Sequence, residues 1–149
     1  VEGTAFAPEL GDMVRIFGID PFADSSVRPL ELDAPDVDTA VRVGRVIATS
    51  PLIKTAVHGR DPNWGRIVAA AGRAGVEFEM NAARCWIGDA LLFSNGVPHP
   101  ENEGDAHVHM IQDKEILLRI DLAAGDSSAD VWTCDFSADY VRINADYRS

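Results

Sequence analysis

The stretch Ile116-Leu117-Leu118-Arg119-Ile120-Asp121-Leu122 decides the fold class. Ile116, Leu118, Ile120 and Leu122 fall on one face of an extended chain, and Leu117, Arg119 and Asp121 on the other. That is the period of a strand with one face in a core. After a turn at Gly125-Asp126, Ala129-Asp130-Val131-Trp132-Thr133-Cys134 alternates again, so the two runs read as an antiparallel hairpin. Upstream, residues 85–93 form a second strand region interrupted at Gly88-Asp89, and Ser94-Asn95-Gly96 turns the chain. Val76-Glu77-Phe78-Glu79-Met80 alternates strictly and predicts a further strand.

Ahead of these strands the period changes. Asp36 is placed to cap a helix in which Val37, Ala40, Val41, Gly44 and Ile47 recur at helical spacing, until Ser50-Pro51 stops the pattern. A second helix begins near Asn63, with Trp64, Ile67, Val68 and Ala71 on one side and Gly72 or Gly75 available to end it. Each helix has an apolar stripe to bury, and the strands have an apolar face. The expected class is α/β in the α+β sense: a layered sandwich of helices on a mostly antiparallel sheet. Residues 1–35 are rich in Pro, Gly and Ser and show no sustained period, so they stand as a separate, unassigned segment before a domain over residues 36–149.

The whole chain, 149 residues, suits one compact core. Its 13 Lys and Arg against 24 Asp and Glu give a net charge of −11. Such a balance repels nucleic-acid phosphates and anionic lipid, and the basic residues are scattered singly rather than gathered in a patch. A small molecule or a protein is the better partner. No apolar run approaches the roughly 20 residues that cross a bilayer. The two cysteines, Cys85 and Cys134, lie far apart in apolar, strand-like surroundings, which reads as inert thiols in a reducing cytoplasm. The chain opens at Val1 with no basic and apolar leader, so processing or truncation is expected rather than secretion.

Several clusters could carry chemistry. His58-Gly59-Arg60-Asp61-Pro62-Asn63-Trp64-Gly65-Arg66 crowds polar and special residues into the start of a helix, where Asn63 can cap and free N–H groups can meet a carboxylate. A plain capped turn explains the same residues. His107-Val108-His109, below Glu101, Glu103 and Asp105, offers metal-ligand types without a metal-ligand spacing, and a solvated loop is the simpler reading. No phosphate-cradling glycine loop is present, and no metal or cofactor is called for. The C-terminal run keeps Tyr140, Ile143 and Tyr147 almost to its end, as a terminal helix or strand docked by these residues would.

Taken together, Ser50-Pro51-Leu52-Ile53-Lys54-Thr55-Ala56, His58 through Ile67, and Tyr140-Val141-Arg142-Ile143-Asn144-Ala145-Asp146-Tyr147 resemble the ornithine acetyltransferase (glutamate N-acetyltransferase) family of arginine biosynthesis, in the C-terminal part of its β chain. The resemblance implies a precursor that cleaves itself into α and β chains and exposes a threonine nucleophile at the β N-terminus. It implies acetyl transfer from N-acetylornithine to glutamate through a Thr acyl-enzyme, in a cytoplasmic α2β2 heterotetramer, with acetyl-CoA as a further candidate donor. By motif, the family's substrate-binding Asn falls on Asn144, and its final hydroxyl residue, Thr in the family, falls on Ser149. Its Glu, from a Glu-Gly-Ala-Thr-Lys stretch, falls on Glu2 of Glu2-Gly3-Thr4-Ala5, where the Lys is absent. A rival alignment sets residues 7–13 against the self-cleavage region and turns the Ala-Thr pair into Gly11-Asp12. In both alignments the chain lacks the nucleophile, so no catalytic residue is assigned. The alternative is a non-catalytic binding or assembly module derived from the same family.

Overall fold

The computed structural model describes the backbone of residues 13–17 and the whole of residues 36–113 and 115–146. Strand β1 (Met13–Phe17) is followed by helices α1 (Val37–Ala48), α2 (Pro51–His58) and α3 (Trp64–Gly72). Then come β2 (Arg84–Ile87), β3 (Ala90–Ser94), β4 (Val97–Pro98), a short 3-10 turn at Pro100–Asn102, α4 (Glu103–Gln112), β5 (Glu115–Asp121), β6 (Val131–Cys134) and α5 (Ala138–Asp146). The strands form one six-stranded sheet in the order β4-β3-β2-β5-β1-β6. Only the β1–β5 pair is parallel; the other neighbours are antiparallel. This is the layered, mostly antiparallel arrangement that the strand and helix periods imply.

The alternation in β5 decides where the core lies. Ile116, Leu118 and Ile120 are all but fully buried, and across the β2 ladder Cys85 and Ile87 pair with Ile120 and Leu118. Ile47 from α1, Ile53 and Val57 from α2, Ile67 and Ala71 from α3, and Ala106 and Met110 from α4 join the same cluster. The helices therefore cover the sheet face that β5's even-numbered residues define. Gly44 is required on α1 because a Cβ there would stand 2.6 Å from Val131 Cγ2, so helix and β6 meet backbone to side chain. Gly88, in the β2–β3 turn with φ +60°, is required twice over: its conformation favours glycine, and a Cβ would run into the His109 ring.

Three local expectations are corrected and a fourth is extended. Residues 76–79 form no strand, although Val76 and Phe78 still pack against the core, so alternation reports their one-sided burial without a ladder. β5 and β6 are not a hairpin: β1 lies between them, parallel to β5 with Val14 opposite Ile116 and antiparallel to β6 with Val14 opposite Thr133. Pairing depends on a strand from the segment that sequence periodicity left unassigned. Ser50-Pro51 ends α1 but also opens α2, because proline cannot continue a helix yet fits its first turn. Residues 103–112, read as a solvated loop, are α4, whose apolar side consists mainly of Ala106 and Met110. The two expected helices are present, with Asp36 Oδ1 accepting from Thr39 N at 2.6 Å and Asn63 Oδ1 from Arg66 N at 3.2 Å. The stripe of α1 is rotated toward Val43, leaving Val37 exposed. Among the described residues no helix is long and apolar enough to cross a membrane.

Candidate functional site

The C-terminal tail is built outward from helix α2. Ile53, Ala56 and Val57 fix one side of α2 in the core, so Lys54 and His58, one turn apart, share the neighbouring side. Strand β6 arrives there with Thr133 Oγ1 donating to the Ala48 carbonyl at 2.8 Å. Asp135, the residue after the strand, is 1% exposed, and its Oδ2 lies 2.9 Å from His58 Nδ1. Its Oδ1 is buried without a hydrogen-bond partner among the described residues. Phe136 N donates to the Lys54 carbonyl at 3.2 Å. The Lys54 ammonium stands 4.6 Å from the Phe136 ring centroid and 5.7 Å from that of Tyr140, with Cys134 Sγ 3.7 Å away. Phe136 and Tyr140 stack at 5.3 Å.

Ser137 then starts α5, its Oγ accepting from Tyr140 N at 2.9 Å. The helix buries no residue: Val141 and Ile143 are about half exposed, at 56% and 46%. The expectation that Ile143 docks the tail is therefore corrected for this chain; Tyr140, half-buried against Phe136 and Lys54, is the aromatic anchor. Asn144 lies on the exposed helix with Nδ2 donating to the Tyr140 carbonyl at 2.8 Å. The other expected substrate residues, Glu2 and Ser149, and the third anchor, Tyr147, lie outside the described residues.

The loop from His58 to Arg66 forms a shaped helix start, as its composition suggests. Arg60 adopts φ +57°, Asn63 Nδ2 donates to Asp61 Oδ2 at 3.0 Å, and Arg66 Nη1 reaches back to the Leu52 carbonyl at 2.6 Å. Trp64 stacks on Phe93 at 4.7 Å. A cleft of about 250 Å³ opens beside it, lined by Asp61, Pro62, Asn63, Trp64, Gly65 and Glu103. The carboxylates of Asp61 and Glu103 make this cleft hospitable to a cationic group, and they oppose the substrate carboxylate that a helix start alone would attract.

His109, from the metal reading, and His99 nearby are each held in local contacts. His109 Nε2 accepts from Leu117 N at 2.9 Å while Nδ1 faces the Asp113 carboxylate, and its ring packs on Gly88. His99 links Ser94 Oγ at 2.8 Å to Glu101 Oε1 at 3.1 Å. A hydrogen bond from its own backbone N–H, and then the one from His99, hold the Glu101 carboxyl below its ordinary range. The order Ser, His, Glu has the connectivity of a catalytic triad, but Ser94 is a buried strand residue. The chain of bonds ties the β3–β4 turn to the 3-10 turn. Among the described residues no group of three or more His, Cys, Asp or Glu is arranged to hold a metal ion. Burial pushes the Cys85 thiol far up, which makes it inert.

Sequence reasoning did not single out Lys54, His58 and Asp135 as a group. His58 and Asp135 are separated by 77 positions, and neither position carries a periodic signal that would pair them.

The sequence matches the ArgJ family over residues 30–149. It is 48% identical over 114 residues to the arginine biosynthesis bifunctional protein ArgJ of Parasynechococcus marenigrum (strain WH8102), covering 76% of this chain and 28% of that protein. With the protein of the same name from Dehalococcoides mccartyi (strain CBDB1) it shares 44% identity over 114 residues, with the same coverage. The crystal structure of arginine biosynthesis bifunctional protein argJ from Bacillus halodurans superposes with a TM-score of 0.72 at 29% identity, over 91% of this chain and 56% of that chain. The chain thus spans a little over a quarter of the length of these curated relatives.

Proposed function

The chain belongs to the ArgJ family, and from that membership we propose that it supplies part of the substrate site of an N-acetyltransferase moving an acetyl group from N-acetylornithine to glutamate in arginine biosynthesis. In this reading a threonine at the start of a β chain, outside this sequence, attacks the acetyl carbonyl with its own amine as base. The carbonyl carbon gains a bond to Thr Oγ and loses its bond to the ornithine nitrogen, which leaves with the proton. The α-amine of glutamate then attacks the acetyl ester, forms the new amide and returns the Thr hydroxyl. One difficult transfer becomes two easier ones. Oxyanion donors come from an α chain of the same self-cleaving precursor, in a cytoplasmic α2β2 assembly.

This chain contributes Asn144, Ser149 and Glu2, an amide, a hydroxyl and a carboxylate. Such groups distinguish the carboxylate from the ammonium of an amino acid by supplying fixed donors and acceptors. The observation that carries the proposal is the combination, on one helix, of the family's Ile143-Asn144-Ala145-Asp146 run with an absence of any buried residue. A motif that contributes nothing to this chain's core has its use elsewhere.

Reconstituted α/β enzyme tests it. Asn144→Ala, and a variant ending at Arg148, are expected to lower kcat/KM by about 5- to 150-fold, the equivalent of roughly 1 to 3 kcal/mol for an unpaired buried group, with an unchanged melting temperature. Untouched activity, or activity that falls only in step with thermal stability, removes these residues from the substrate site. The chain by itself is expected to show no transfer; turnover comparable with the whole enzyme would sink the reading. Tight binding of N-acetylornithine by the chain alone would favour a non-catalytic module instead.

A further inference from the structure

We infer that His58 and Asp135 are positioning residues: their contact is a clasp that sets the direction of α5 and so the place of Asn144. The inference rests on the proposed role of the tail and adds the device that aims it. Its starting point is the cost of Asp135. A carboxylate that is 1% exposed, with Oδ2 on His58 Nδ1 at 2.9 Å and Oδ1 unpartnered among the described residues, is a poor way to end a strand if stability alone counted. An apolar residue of similar size would close the same joint at less cost in desolvation. What the hydrogen bond between them supplies is direction, because such a bond accepts a narrow range of geometries whereas apolar packing tolerates sliding.

The joint is where direction matters. Between the end of β6 and the cap at Ser137, the backbone is held to α2 through Phe136 N on the Lys54 carbonyl, and the side chains through Lys54 and His58. Helix α2 is itself keyed into the core by Ile53, Ala56 and Val57. Past the cap, α5 buries nothing, so within the described residues its heading is inherited from the joint. At 1.5 Å per residue Asn144 stands roughly 10 Å along the helix from Ser137, and a tilt of about 10° at the joint would sweep its side chain by about 2 Å. A shift of about 2 Å is enough to carry a polar contact beyond hydrogen-bond range.

His58 is the residue to change, since its side chain is 49% exposed and its loss leaves the core intact, whereas Asp135→Ala would empty a buried position. In reconstituted α/β enzyme, His58→Ala is expected to speed hydrogen exchange of the α5 amides by about tenfold while leaving β5 protected, the signature of local rather than global opening. It is expected to raise KM for N-acetylornithine by about tenfold, with kcat held within about twofold and the melting temperature unchanged. His58→Asn, whose amide nitrogen takes the place of Nδ1, is expected to restore both. Unchanged exchange in α5 overturns the clasp, as does a kinetic loss that Asn does not rescue or that only tracks thermal stability. If Asn144→Ala impairs the enzyme and His58→Ala does not, the clasp fails and the proposed substrate role of the tail stands. If exchange rises while both variants keep full activity, the positioning role and the substrate role of the tail fail together.

Discussion

Strand β5 and helix α5 both carry large apolar residues close to charged ones, yet they end in opposite environments. Ile116 and Leu118 are at most 1% exposed, while Val141 and Ile143 are about half exposed. The strand is flanked by β2 and β1 and covered by helices that this chain provides. Among the described residues the helix meets the rest of the fold mainly through its first turn, by Tyr140 against Phe136 and Lys54. Apolar content thus states a demand for burial and does not say whether the same chain meets it. In β5 the demand is met internally; the bare side of α5 fits the proposal that the tail works against a surface contributed by another chain.

The comparison can be broken most easily at its buried end. Leu118→Ala is expected to destabilise the chain by about 2 to 5 kcal/mol, because it removes the buried side chain and leaves a cavity among Ile53, Ile67, Ile87 and Met110. A loss below about 1 kcal/mol in chemical unfolding would mean that the sheet face is not the core it is taken for. The caps sharpen the contrast at a smaller scale. Asn63→Ala, at the start of a helix packed in the core, is expected to cost about 1 kcal/mol of global stability. The equivalent change at Ser137 is expected to fray α5, seen as faster amide exchange, with no shift in the unfolding midpoint. Equal global costs for the two caps would show that the tail is part of the cooperative core. The smallest effect belongs to Ile143→Ala, expected to stay within about 0.5 kcal/mol in the chain alone. A loss of core size there would restore the docked tail that the sequence suggests.

The fold was partly legible because burial leaves a period. Ile116, Leu118 and Ile120 announced a one-faced strand, and Asp36 and Asn63 announced helix starts that their side chains do cap. Alternation at Val76 and Phe78 was misleading because packing against a core needs no ladder partner. Helix α4 went unseen because Ala106 and Met110 are too sparse an apolar stripe to stand out among polar neighbours. The candidate site was legible only as a motif. Asn144 stood out through its resemblance to a family pattern, whereas nothing local ties His58 to Asp135, which a fold must bring together.

By itself, then, the sequence determined the class of fold, the α1 and α3 starts, the β3–β4 turn and the face of β5 that is buried. Each of these depends on neighbours a few residues apart, and such spacing is written in the chain. The interruption at Gly88-Asp89, by contrast, is a turn that folds one expected strand region into the antiparallel pair β2 and β3. Tertiary structure alone decided that β1 separates β5 from β6, that α5 lies bare, and that a buried carboxylate meets a half-exposed histidine at the root of the tail. Those outcomes depend on which distant segments compete for the same edge or cavity, and that competition is settled by the free energy of the assembled core.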